Sequence, residues 1–592
     1  MERMSFMHKL QALKESALKF TGKLPLASAL RERLKHKYTL AHFKADLLAG
    51  FVVGMVAIPL GMALAIAIGV PPQYGLYTVM MGGIVSLLGG SRFSVTGPTA
   101  AFVVILAPIV SRYGLGGLLL ASLISGILIF FLGLSRLGQV IRFIPYPVTT
   151  GFTSGIAVVI ATIQIKDFFG LKIDHVPDHF FEKIGSFLHH APTFSLYESL
   201  IAFTTLILLV VWPKINKRIP SPLVVLSSMT LLVTFLNKYF PNLSIATIRE
   251  RFTSVIDGQT IQGIPSSLPK FDLPWNFMSG DSLPFSLDYT NIQALIMAGL
   301  SIAILGAIET LLCAVVADGI TQTNHDSDSE LLALGIGNIL GPFFGAIPST
   351  GAIVRTATNI RFGARSPLAA VFHSLFVLLT VIFAAEYVSY MPMASLAALL
   401  VYVAYGMFDA KHFFHCLDVS PRSDKLVLLS CFFLTVIFDM VIGVGVGVIL
   451  AALLFIQRMT DLTSGTQWVG EHHKIKEKVP DGIMVYDIAG PLFFGVAQRA
   501  VAGVRTANED IKIVIFNLEL VPILDLTGLI AFESAILELI SKSVSVYVAA
   551  SSPQPLRLLK QSKVFKDNSI PLHETLHDSL VFAKETMATK YI

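Results

Sequence analysis

Between about Asp46 and Gln457 the chain is a series of apolar runs, some of them too long for anything but membrane crossings. The run LLAGFVVGMVAIPLGMALAIAIGV (residues 47–70) is long enough for one crossing and LVLLSCFFLTVIFDMVIGVGVGVILAALLFI (426–456) for two, at about 20 residues each. Composition agrees, because 54% of the residues are hydrophobic and only 14% charged, where a soluble domain carries roughly 25% charged residues. The chain therefore reads as a polytopic α-helical membrane protein. Residues 1–45 are polar and end in RERLKHKYTLAHFK, so they read as a cytoplasmic N-terminal region with no signal peptide.

Windows bounded by proline, glycine and charge give about fourteen segments by length, several of them short and broken by glycine. After Thr460 the character changes. Strand-like runs IMVYDIAG, IKIVIFNL and VSVYVAA alternate with the amphipathic helical runs GLIAFESAILELI and PLHETLHDSLVFAKE. The expected organisation is a transporter-like membrane domain over 46–460 and a small cytoplasmic α/β domain over 461–592. An N-terminus placed inside puts Arg136 and Arg142, Lys214, Lys217 and Arg218, Arg361 and Arg365, and Lys411 and Arg422 in cytoplasmic loops, as the positive-inside rule requires. The acidic loop DGITQTNHDSDSE (318–330) is the exception.

The prolines carry a repeat. Leu60 precedes Pro98 by 38 residues and Glu309 precedes Pro348 by 39, while Pro98 precedes Pro145 by 47 and Pro348 precedes Pro392 by 44. Small residues and an apolar run of about half a span follow Pro98 and Pro348 alike. Seven segments per half, about 46–240 and 290–457, make the second half enter from the opposite side, so the repeat is inverted. Paired short segments in two halves point to a transporter's binding site.

If Thr99 and Thr350 open short helices, their free N–H groups and positive dipole ends meet near the bilayer midplane, where an anion belongs. The expected donors are Thr99, Ala100 and Ala101 from the first half and Ser349, Thr350, Gly351 and Ala352 from the second, with small side chains that let a ligand reach the backbone. The alternative is that these small residues only let helices cross closely. Arg355, in the apolar setting of GAIPSTGAIVRTATNIRFGAR (345–365), falls one helical turn beyond Gly351. It either adds positive potential to the anion site or holds two helices together through a permanent carboxylate pair. Glu309, in AILGAIETLLCAVV, is the candidate partner or proton carrier, since an intramembrane acid is a functional suspect by default. His373 is a weaker relay candidate, and Asp439 suits a helix-pairing role.

Cys313, Cys416 and Cys431 lack metal or disulfide spacing, and the adjacent pairs His189–His190 and His472–His473 cannot face one metal from a helix. No metal, cofactor or nucleic-acid partner is expected. No nucleophile motif or phosphate loop suggests an enzyme. In the soluble domain Asp525 and Thr527 stand where a helix N-terminus needs capping.

The segments PPQYGLYT, SRFSVTGPTAA, SELLALGIGN and GAIVRTATN resemble the signatures of the SulP, or sulfate permease, anion transporter family, and LDLTGL resembles the turn of the STAS domain that its members carry at the C-terminus. Within the family, GGSRFSVTGPTAAFVVIL, LGAIETLLCAVVADG and GPLFF look most like the bacterial aerobic C4-dicarboxylate transporters. The resemblance implies a UraA-like fold of seven plus seven inverted segments with core and gate domains, an anion between the short third and tenth helices, and a homodimer in the bacterial inner membrane with both termini cytoplasmic. It makes Arg355 the tenth-helix arginine and Glu309 the acid that couples transport to protons. Symport of a dicarboxylate such as succinate, fumarate or aspartate is the expected function, with sulfate or bicarbonate transport, or a passive anion channel or exchanger, as alternatives. Leu60 stands where many members have a polar Gln. In phosphorylated relatives of the STAS domain the hydroxyl of the turn is the acceptor, which makes Thr527 a candidate regulatory site for a cytoplasmic partner.

Overall fold

The computed structural model describes residues 26–35, 38–139, 145–173, 176–177, 179–216, 219–240, 243, 245–256, 259–277, 285, 288–438, 440–461, 464–468, 479–493 and 510–590. Arg142, Lys217, Arg218, Asp439, His472 and His473 lie outside them, as do the first 25 residues. Two compact units are present, Met1–Val448 and Ile449–Ile592.

The first unit holds α1 (Leu40–Ala67), α2 (Pro72–Leu88), α3 (Ala100–Leu134), α4 (Tyr146–Ile163), α5 (Leu196–Ile215) and α6 (Ser221–Tyr239) in its first half. The second half holds α7 (Tyr289–Thr321), α8 (Ser327–Leu340), α9 (Ile353–Arg361), α10 (Leu368–Val388), α11 (Met393–Phe408), α12 (Arg422–Ile437) and α13 (Met440–Asp461), the last running across the division between the units. Gly114 breaks α3 with φ 66° and ψ −170°, a conformation that glycine alone adopts cheaply. The break makes two segments of α3, a half-helix over 100–113 and a full span after it. Among the described residues nine helices are long and apolar enough to cross a membrane. With α3 divided and α2, α8, α9 and α12 added, each half contains seven segments.

Proline starts many of these helices. Pro71, Pro145, Pro220, Pro392 and Pro421 each occupy the position just before a helix, where the fixed φ fits and no N–H is needed. Pro145 and Pro392 thus mark matching starts, α4 and α11, in the two halves. Helices α1, α2, α3, α7, α8, α9 and α10 pack into one bundle, with α3 against α7 and α8 and α10 against α1 and α2. Helices α4, α5, α6, α11 and α12 form the other, and α13 lies along α12 at Gly443 and Gly447. These are the core and the gate.

Two buried carboxylates fasten the core's loops. Glu330, at the start of α8, accepts the N–H groups of Gly90 at 2.7 Å and Ser91 at 3.0 Å, fixing the segment that leads to the half-helix of α3. Asp46, fully buried in α1, accepts from the Arg365 N–H at 2.5 Å, the Ser366 N–H at 3.1 Å, the Ser366 hydroxyl at 2.5 Å and the Tyr38 hydroxyl at 2.7 Å. An unmet buried donor costs about 1–3 kcal/mol. Asp46→Ala should therefore lower stability by about 2–4 kcal/mol, as read by thermal denaturation in detergent; a change below about 0.5 kcal/mol would mean that water satisfies these donors. The turn between α7 and α8 is closed by a chain in which His325 Nδ1 lies 2.7 Å from Asp318 and its Nε2 2.9 Å from the Ser327 hydroxyl.

In the second unit a five-stranded sheet runs β3 (Ser464–Trp468), β4 (Ile483–Ala489), β5 (Ile513–Leu520), β6 (Ser545–Ala549) and β7 (Leu572–His573). The β3–β4 pair is antiparallel and the others are parallel. Helices α14 (Leu526–Ser541), α15 (Pro553–Gln561) and α16 (Leu576–Lys590) accompany it. Apolar residues cover both faces: Tyr486, Phe516 and Phe532 belong to one buried cluster, and Ile513, Ile515 and Leu580 to another. Both faces of the parallel strands are therefore buried, as βα crossovers require.

Candidate anion site at the repeat junction

The two halves of the core meet in a two-residue antiparallel ladder, β1 (Thr96–Gly97) with β2 (Thr350–Gly351), in which Thr96 opposes Gly351 and Gly97 opposes Thr350. A short helix leaves each strand. Thr99 is the residue before α3 and Ala352 the residue before α9. The match between the repeats is therefore Thr-Gly with Thr-Gly, and Pro98 and Pro348 lie on opposite sides of it. This corrects the expectation that Thr350 opens a helix: it is extended, and its helix begins at Ile353.

The correction changes which amides are open. The Ser349 N–H donates to Asn338 Oδ1 at 2.9 Å, the Gly351 N–H to Thr310 Oγ1 at 2.9 Å and the Ala352 N–H to the Val95 carbonyl at 2.8 Å. The Ser349 hydroxyl is also taken, by Asn338 at 3.0 Å, and Thr350 Oγ1 lies 3.1 Å from Thr310 Oγ1. Those residues build the floor of the junction and are not free donors. The amides left over are those of Ala100 and Ala101 in the first half and Ile353 and Val354 in the second, none of which has a hydrogen-bond partner among the described residues. Sequence reasoning missed Ile353 and Val354 because it aligned the prolines; aligning the Thr-Gly pairs finds them.

Arg355 extends from α9 across the ladder into the first repeat. Its Nη2 donates to the Pro98 carbonyl at 2.6 Å, and a Cβ on Gly97 would collide with its Nη1. Gly97 is therefore needed for the approach, a role that only the tertiary structure reveals. The residue is 2% exposed, and among the described residues Nη1 has no hydrogen-bond partner. The expected pairing with Glu309 is absent: among the described residues no ion pair involves either group. Glu309 Oε2 instead accepts the Thr99 hydroxyl at 2.8 Å. The physical reason is that the half-helix N-terminus offers a carboxylate donors and a positive dipole end, and Thr99 stands there.

Leu60 is buried in α1 and brings no polar group. His373 is buried in α10, where neither ring nitrogen reaches another side chain. In the second unit Asp525 caps α14, accepting the Gly528 N–H at 2.7 Å. Thr527 sits exposed in the first turn and is not the cap.

Two helix N-termini facing one ladder, with an unneutralised guanidinium beside it, make a positive pocket that can hold a small anion. The sequence profile of the Sulfate permease family matches residues 43–431, and that of the STAS domain residues 474–579. The chain is 42% identical over 460 residues to "Putative sulfate transporter YvdB" of Bacillus subtilis (strain 168), covering 77% of this chain and 82% of that one. It is 28% identical over 560 residues to "Bicarbonate transporter BicA" of Picosynechococcus sp. (strain ATCC 27264 / PCC 7002 / PR-6), covering 90% and 93%. A solved structure titled "The overall structure of SLC26A9" shares the fold, with TM-score 0.82 at 18% identity over 98% of this chain and 95% of that one. The chain thus belongs to the sulfate permease family, as a multi-pass membrane anion transporter with a C-terminal STAS domain.

Proposed function

We propose that the protein is a secondary active symporter that carries a small dicarboxylate together with a proton. The observation that carries this reading is the separation of the two buried charges. Arg355 stays without a carboxylate, while Glu309 lies on Thr99 at a half-helix N-terminus, the place an anion would take. In its charged form Glu309 competes with substrate for that dipole end; once protonated it yields the place. Proton and anion therefore enter together. The substrate contacts are the Thr99 hydroxyl, the amides of Ala100, Ala101, Ile353 and Val354, and Arg355, with Ser349, Thr350, Gly351 and Ala352 as the rigid wall behind them. The core moves against the gate to expose this junction to either side.

In this reading the protein is a homodimer of the bacterial inner membrane with both termini in the cytoplasm, and the exposed Thr527 is a phosphorylation site through which a cytoplasmic regulator acts. The names of the relatives favour a second reading, sulfate or bicarbonate as the anion. Uptake of labelled succinate, sulfate and bicarbonate into proteoliposomes, each with and without an inward proton gradient, separates these. Gradient-dependent accumulation of succinate alone is expected. Accumulation of sulfate or bicarbonate alone transfers the reading to that anion, and flux that only equilibrates overturns the symporter in favour of a channel.

A further inference from the structure

A cavity of about 490 Å³ lies between the core and the gate, at the ends of α1, α3, α4 and α12. These helix ends are on the side away from the N-terminus, which the reading above makes the extracellular face. Its floor includes Val103 and Val104, about one helical turn past Thr99, so the cavity extends from the outer surface almost to the half-helix that faces the ladder. The size falls within the roughly 300–1,000 Å³ of ligand pockets.

The chemistry of its wall differs from the apolar seam beneath. Lys166 and Lys183 both line it, with Ser111 and Gln164 as neutral polar groups. The carboxylate in the wall, Asp167, lies 3.6 Å from the Arg251 guanidinium. Lys166 Nζ donates to the Ile173 carbonyl, which holds that ammonium in place without neutralising it. Lys183 is only 9% exposed. Two ammonium groups in one sheltered cavity repel each other in a medium that screens poorly. An anionic occupant relieves that repulsion, and one with two negative charges relieves it most.

We propose that this cavity is a second anion site, an outer vestibule that takes a small dianion such as a dicarboxylate or sulfate on the way to the repeat junction. This rests on the transporter reading. The vestibule concentrates substrate at the outer mouth, as basic clefts do, and hands it inward along the half-helix of α3. The neutral Thr162 and Thr435 in the same wall bind less tightly than the lysines, so the site can also release.

The test reads occupancy directly. Ser111→Cys, in a chain that also carries Cys416→Ser, places a thiol in the cavity wall, and its labelling by a charged, membrane-impermeant thiol reagent is followed in intact cells. Succinate or sulfate outside should protect the thiol. Adding Lys166→Gln and Lys183→Gln should raise the half-protecting concentration at least 10-fold, whereas Lys166→Arg and Lys183→Arg should leave it within about 3-fold, which separates lost charge from lost folding. No protection in the lysine-containing chain, or equal protection with both lysines replaced by Gln, overturns the vestibule. Uptake measured separately decides the transporter reading: a chain that moves none of the three anions but still shows lysine-dependent protection keeps the site and loses the symport.

Discussion

Glu309→Gln should abolish proton-driven accumulation while leaving anion exchange across equal pH. Gln keeps the size of Glu, and its carbonyl oxygen still accepts the Thr99 hydroxyl now at 2.8 Å, but it cannot cycle between charged and neutral forms. The junction is held in its protonated-like form, with the half-helix end open to substrate. The accumulation ratio should fall to unity, and exchange should stay within about 3-fold of the native rate, because Arg355 and the amides are untouched. Stability should change by less than about 1 kcal/mol, the usual range for a substitution that leaves no new unmet group. Removing one member of a buried ion pair would instead cost about 3–5 kcal/mol, and the absence of an Arg355–Glu309 pair among the described residues is the reason to expect the smaller figure. Both activities and thermal stability are measured on one purified variant. Retained accumulation ends the coupling role, and a loss of stability in the larger range would restore the ion pair.

Arg355→Met should do the opposite to function and stability. The guanidinium is 2% exposed with one nitrogen unmet among the described residues, and replacing buried charge by an apolar chain of similar length is often neutral or stabilising by about 1–4 kcal/mol. Thermal stability should therefore hold or rise. Transport should collapse, because truncating a buried charged contact to a ligand costs about 2–5 kcal/mol, or roughly 30-fold to several thousand-fold in affinity. Gly97→Ala should push in the same functional direction less strongly, since its Cβ would displace Nη1 without removing the charge. A variant with native uptake would place the anion away from Arg355. One that loses both uptake and stability would make the arginine a structural tie.

The membrane class, the fourteen segments, the seven-plus-seven division and the α/β tail were legible in the sequence, because each rests on a local or periodic signal. A span needs about 20 apolar residues wherever it goes, a strand alternates, and proline marks a helix start whatever packs against it. Asp525 as a cap was readable for the same reason, since capping is settled within one turn. The chemistry of the junction was not. Thr350 reads as a helix opener until the ladder with Thr96–Gly97 shows it extended, and Ser349, Gly351 and Ala352 read as open donors until Asn338, Thr310 and Val95 are seen to take their amides. Arg355 and Glu309 are two buried charges whose separate partners, Pro98 and Thr99, lie more than two hundred residues away in sequence. Hydrogen bonding between distant segments leaves no periodicity, so the sequence alone could name the charged residues and the small ones around them. Which amides stay free and which carboxylate faces which cation were decided only when the two repeats came together.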